Sequence, residues 1–125
     1  VTSAIAVITI DALNPRVVAD FWCTVLGWAV LDEDEGIVSI GSPRGGVPTI
    51  DICAVPEAKT IKNRLHLDLR ADDVTRDAEL QRLLDLGATP ADVGQPPDAS
   101  WTVLADPEGN EFCLLIRTVE ESATA

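Results

Sequence analysis

Positive charge is scarce in this chain. Nine lysines and arginines stand against 21 aspartates and glutamates, a formal net charge of −12, and only Lys59 and Lys62 are lysines. A domain this acidic repels phosphate backbones, so no nucleic-acid partner is expected. Long apolar runs are also missing: none approaches the roughly 20 residues that a bilayer crossing needs, so no membrane partner is expected either. The first ten residues lack a basic stretch and are too short and too β-branched for a secretory signal. The expectation is a soluble, cytoplasmic protein. Tyrosine is absent, so no phenolic acid can serve in catalysis. Histidine occurs once, at position 66. Cysteine occurs three times, at 23, 53 and 113, an odd number that fits reduced thiols better than a disulfide framework.

What is present suits one compact α+β domain. The chain has 125 residues, of which 46% are apolar, enough for a real core. Its organisation repeats. A β-rich run over residues 4–10 leads through Asn14, a good helix cap, and Pro15, suited to a first helical turn, into apolar positions at helical spacing: Val17, Val18, Phe21, Trp22, Val25 and Leu26. Gly27 supplies the stop. Downstream, residues 65–70 form a second strand, Asp72 or Asp73 caps, Ala78, Leu80, Leu83, Leu84 and Leu86 make a helix stripe, and Gly87 ends it. Each helix precedes three strand-like runs, over 28–31, 36–40 and 49–55 in the first half and 89–93, 101–105 and 111–117 in the second. Turn-rich segments separate them. The order is βαβββ twice, with module one at about 4–57, module two at about 64–118 and a flexible tail over 119–125. Two such modules side by side can form a curved mixed sheet, a half-barrel cleft with helices on its outer face.

Several local motifs carry a family resemblance: Phe21-Trp22, Leu26-Gly27-Trp28, the stretch from Lys62 to Asp68, Leu86-Gly87-Ala88-Thr89, and Asp106-Pro107-Glu108-Gly109-Asn110-Glu111-Phe112-Cys113. Together they resemble the glyoxalase-like branch of the glyoxalase/bleomycin-resistance/dioxygenase (vicinal oxygen chelate) superfamily, over nearly the whole chain. The resemblance implies a small organic ligand and a homodimer. It also implies metal ligands on the first and last strand of each module. Counting within the motifs puts those positions at Val7, Cys53, His66 and Cys113. Valine cannot ligate, so an oxygen-rich octahedral site is not expected and no metal cofactor is assigned. One imidazole and two thiols remain, which leaves open a zinc site of Cys53, His66 and Cys113. Ordinary burial of small cysteines on an apolar face is the alternative.

On the second module's first strand, His66 shares a face with Asp68 and Arg70, opposite Leu65, Leu67 and Leu69. A histidine two residues from an aspartate suits a general acid or base, and a hydrogen-bonded strand histidine is the bland reading. His66, Asp68 and Glu111 are the catalytic candidates. Thr9, Trp28, Cys53, Arg70, Trp101 and Cys113 are candidates for lining a ligand cleft, the two indoles as aromatic walls. Three functions remain open from sequence: a metal-independent enzyme of lyase or isomerase type, a drug- or metabolite-sequestering protein without catalysis, and a transition-metal enzyme.

Overall fold

The structure, a computed structural model, describes residues 2–99 and 101–124. The chain divides into two compact units, Val1–Lys59 and Thr60–Ala125.

In the first unit, β1 (Val7–Ala12) leads into α1 (Pro15–Leu26), followed by β2 (Ala29–Asp34), β3 (Ile37–Gly41) and β4 (Thr49–Ala54). The strands form one mixed sheet in the order β1-β4-β3-β2, with β1 parallel to β4 and the other pairs antiparallel. Strand alternation separates its two faces. Ile50 and Ile52 of β4 and Val38 and Ile40 of β3 are buried, and α1 packs across β3 and β4 with Val18, Ala19, Phe21, Trp22 and Val25. Trp22 is only 1% exposed, and its ring meets Phe21 edge-on at 5.3 Å, so it fills the core. The helix has the expected bounds. Gly27 closes it in the left-handed region at φ 66°, where its N–H reaches the Cys23 carbonyl.

The second unit repeats the plan. It runs β5 (Leu67–Leu69), α2 (Arg76–Asp85), β6 (Thr89–Pro90), β7 (Trp101–Ala105) and β8 (Glu111–Leu115), in the sheet order β5-β8-β7-β6 with β5 parallel to β8. Leu104, Phe112 and Leu114 are buried on one sheet face, and Leu83 of α2 is fully covered. Three local expectations change. The cap of α2 is Thr75, whose hydroxyl accepts the Ala78 N–H. Asp73 instead takes a left-handed turn at φ 62° and donates its N–H to Glu120. The strand expected over 89–93 pairs only at Thr89 and Pro90, as a proline removes the next ladder donor. Finally, the segment expected as a flexible tail carries a five-residue helix, α3 (Val119–Ala123). A capping box begins it, in which Thr118 and Glu121 satisfy each other's backbone N–H groups. Ala125, at the end of that segment, lies outside the described residues.

Candidate functional site

The motif Asp106-Pro-Glu-Gly-Asn builds the site from below. Asp106 is 3% exposed, and its Oδ1 accepts the backbone N–H groups of Glu108 and Asn110 at 2.9 and 3.0 Å. Asn110 Nδ2 adds a bond to Asp106 Oδ2 at 2.9 Å, and Gly109 takes the positive φ that closes the turn. This fixed turn starts β8 at Glu111. It also reaches back along the chain: Asn63 Nδ2 donates to Asn110 Oδ1, and the Asn63 N–H donates to Glu111 Oε1. The segment before β5 is thereby tied to the start of β8. His66 and Cys113 are set in place by two strands anchored on one turn.

Asp68 stands directly opposite Cys113 in the parallel β5–β8 ladder, and Val103 stands opposite Cys113 on the other side. Period-two alternation puts His66 on the Asp68 face. His66 Nδ1 lies 3.0 Å from Asp68 Oδ1 and 3.9 Å from Cys113 Sγ. His66 and Asp68 are partly open to solvent, whereas Cys113 is 5% exposed. Burial, then the charge of Asp68 and a hydrogen bond to it, push the Cys113 thiol up to about 11, with Lys62 opposing weakly. At neutral pH the sulfur therefore keeps its proton. A carboxylate can only accept, so Asp68 receives the S–H, and it receives the ring proton at Nδ1. Nε2 is left as the ring's acceptor.

These groups form the polar end of a cleft of about 530 Å³ within the second unit, together with Lys62 and Glu111. Its walls are Val93, Pro96, Trp101, Val103 and Leu115, with Gln95 beside them. Gln95 braces the wall loop by accepting the Val93 N–H and donating to the Ala91 carbonyl. An apolar wall with a few convergent polar groups is the common composition of small-molecule sites.

Five residues expected at a site meet in this cleft: His66, Asp68, Trp101, Glu111 and Cys113. Arg70, expected there too, lies outside the lining and donates to the Arg117 carbonyl at 3.1 Å. Thr9, Trp28 and Cys53 belong to the first unit, and the lining comes wholly from the second. In the first unit Thr9 pairs with Asp51, which accepts the Ser39 hydroxyl at 2.7 Å; Trp28 is half-buried beside β2. Cys53 is half-buried, and burial, then Asp51 and Asp11, raise its thiol above the usual range.

The repeat corrects one correspondence. Ala12 and Ala71, each 1% exposed, occupy equivalent places after the first-strand residues of the two modules. Three residues before them stand Thr9 and Asp68, whose ladder partners are Asp51 and Cys113. Asp51, and not Cys53, is the counterpart of Cys113. The longer turn before β4 shifts a count made from motifs by two residues. Cys53 is likewise not a member of the donor cluster formed among the described residues by His66, Asp68 and Cys113. The cleft residues missed from sequence, Lys62, Val93, Gln95 and Pro96, lie outside the strands, where periodicity carries no signal. The Pro-rich loop beside a strand-initial tryptophan is the one clue that pointed there.

A mixed four-stranded sheet built twice from βαβββ, with polar groups on the face away from the helix, defines a known architectural class. A glyoxalase-like domain profile matches residues 7–115, and the chain belongs to that family. Solved structures agree on the fold. A fosfomycin resistance protein, FosX, from Mesorhizobium loti is 14% identical with a TM-score of 0.71, covering 100% of both chains. A glyoxalase/bleomycin resistance protein/dioxygenase family enzyme from Burkholderia phytofirmans is 19% identical with a TM-score of 0.66, over 90% of this chain and 97% of its own. An E126Q mutant of FosX from Listeria monocytogenes, complexed with Mn(II) and 1S,2S-dihydroxypropylphosphonic acid, is 12% identical with a TM-score of 0.68, covering 97% and 94%. No curated protein sequence gives a significant match.

Manganese favours an oxygen-rich octahedral shell. The cluster here offers one imidazole nitrogen, one sulfur and one carboxylate. That donor set does not suit manganese, and no step of the chemistry below passes through such an ion.

Proposed function

We propose that this protein binds a small organic molecule in the cleft of its second unit and that His66 exchanges a proton with it. The observation that carries this reading is the 3.0 Å contact of His66 Nδ1 with Asp68, at the polar end of an apolar-walled cleft. Asp68 fixes the ring's tautomer and orientation, leaving Nε2 to take a proton from a weak C–H or O–H acid. Charge that develops on such a ligand meets Lys62 at the same end of the cleft. Trp101, Val103 and Leu115 hold its apolar part. Cys113 acts as a buried S–H donor and not as a nucleophile, because its thiol is held protonated. This chemistry belongs with the lyases and isomerases. By resemblance to the family, the protein works in the cytoplasm as a homodimer.

A second reading, a sequestering protein without catalysis, is favoured by the apolar share of the lining. Thermal-shift screening of small organic acids and carbonyl compounds, followed by product analysis of each binder, separates the two. The expected result is turnover of a bound compound, with His66→Ala lowering the rate about 10²- to 10⁴-fold while binding holds. Tight binding with no product, insensitive to His66→Ala, would leave sequestration as the function.

A further inference from the structure

The mismatch with a manganese site has a positive counterpart. We propose that His66, Asp68 and Cys113 form a three-donor site selective for a thiophilic divalent ion such as zinc, with a fourth position facing the cleft. The three side chains each offer a donor atom, and those atoms all lie within 4.8 Å of one another. Two separations are 3.0 Å, from His66 to Asp68, and 3.9 Å, from His66 to Cys113. Zinc held at about 2.0–2.3 Å from nitrogen, oxygen and sulfur at tetrahedral angles requires donors about 3.3–3.6 Å apart. The observed separations bracket that range, and small rotations of the two solvent-accessible side chains, His66 and Asp68, cover the difference.

The backbone supports the same conclusion. Asp68 and Cys113 are held opposite each other by ladder bonds, and Glu111, two residues before Cys113, is fixed by the Asn63 N–H. The sulfur is therefore presented by a rigid strand, while imidazole and carboxylate approach from its neighbour. Soft thiolate with imidazole selects zinc-like ions over magnesium or manganese, and three protein donors with one open position is the arrangement of catalytic zinc sites. An ion there takes the place of the protons that ring and thiol direct at Asp68. The inference stands apart from the acid–base reading of His66, since its measurements identify ligands and need no substrate.

Titration of the full chain with Co(II) tests it. The expected result is a sulfur-to-cobalt charge-transfer band in the near ultraviolet that saturates at a single equivalent. Zinc should bleach the band, and excess Mg(II) or Mn(II) should leave it. Cys113→Ser should abolish the band and Cys53→Ser should keep it. His66→Ala and Asp68→Asn alter exposed positions that folding tolerates, and each should weaken cobalt binding about tenfold or more. These two variants keep the test decisive if Cys113→Ser fails to fold. The proposal is overturned by the absence of a band in the unmodified chain, by a band that survives Cys113→Ser, by cobalt binding unchanged in both His66→Ala and Asp68→Asn, or by displacement of cobalt by manganese.

Discussion

Cys113 shows how a residue's chemistry is set by its neighbours. A free thiol in water would be partly ionised at mildly alkaline pH, but here the buried sulfur faces Asp68 and is held up to about 11. At pH 8 it should react with iodoacetamide far more slowly than an unfolded cysteine, as followed by peptide mass spectrometry, which keeps Cys23 and Cys53 apart. Asp68→Asn removes the charge that opposes the thiolate. The rate at pH 8 should then rise, by about tenfold for each unit by which the thiol falls. An unchanged rate would mean that burial alone holds the proton. The same shift gives a sign for stability. The folded state keeps this proton to higher pH than the unfolded chain does. The stabilisation is therefore complete below the unfolded value and is lost as pH rises from about 9 toward 11. Urea midpoints should fall over that window, and Cys113→Ala should flatten this part of the profile. The trio was legible in the sequence because alternation on one strand places His66 beside Asp68. The Cys53 assignment failed because a count from motifs cannot see the extra turn residues before β4.

Turns and caps decide what each element presents. The buried Asp106 carboxylate holds two backbone N–H groups and the Asn110 amide, and these position Glu111 and Cys113 on β8. Asp106→Ala leaves those donors without their acceptor, at a cost of about 1–3 kcal/mol for each one left buried and unpaired. We expect urea unfolding to show a loss in the lower part of that range, because Glu108 and Asn110 remain partly open to water. Ligand binding in the cleft should weaken along with it. At the other end of the second unit, Thr118 is 8% exposed and caps α3. Thr118→Ala should cost about 1 kcal/mol, read by the same method. Glu121 is held below the usual carboxylate range by the Thr118 N–H, so this small contribution is present at neutral pH and fades as pH falls through the acid range. The helices and most strands were legible from periodicity and from Gly27 and Gly87. The cap of α2 was not: three candidate oxygens, on Asp72, Asp73 and Thr75, precede it. The left-handed turn at Asp73, supported by Glu120, leaves Thr75 in position.

At the scale of the molecule, the repeat carries the family assignment and the charge sets the response to solution conditions. Two sheets with the same strand order, each with a helix between its first and second strands, were readable because strand, cap, helix and Leu-Gly stop recur in step. The cleft's loop wall was not readable, since Val93 to Pro96 lie in a segment without periodicity. The net charge of −12 has a consequence that competes with the surface ion pairs. Arg16 bonds Asp20 and Glu33 at 2.9 and 3.0 Å, and Arg82 bonds Glu79 at 2.8 Å, all near the surface, where each pair contributes ~1 kcal/mol or less. Salt weakens these attractions, but it also screens the repulsion among 21 carboxylates that nine cations cannot neutralise. Screening shortens from about 30 Å at 0.01 M salt to about 8 Å at 0.15 M, so long-range repulsion fades first and contact pairs last. Repulsion should therefore dominate the balance. The melting temperature should rise by roughly 2–5 °C between those two salt concentrations, measured by circular dichroism at neutral pH. A fall over the same range would show that the few ion pairs outweigh the net charge. Charge reversal at Asp98, an exposed loop residue, should reduce the salt dependence without touching the core.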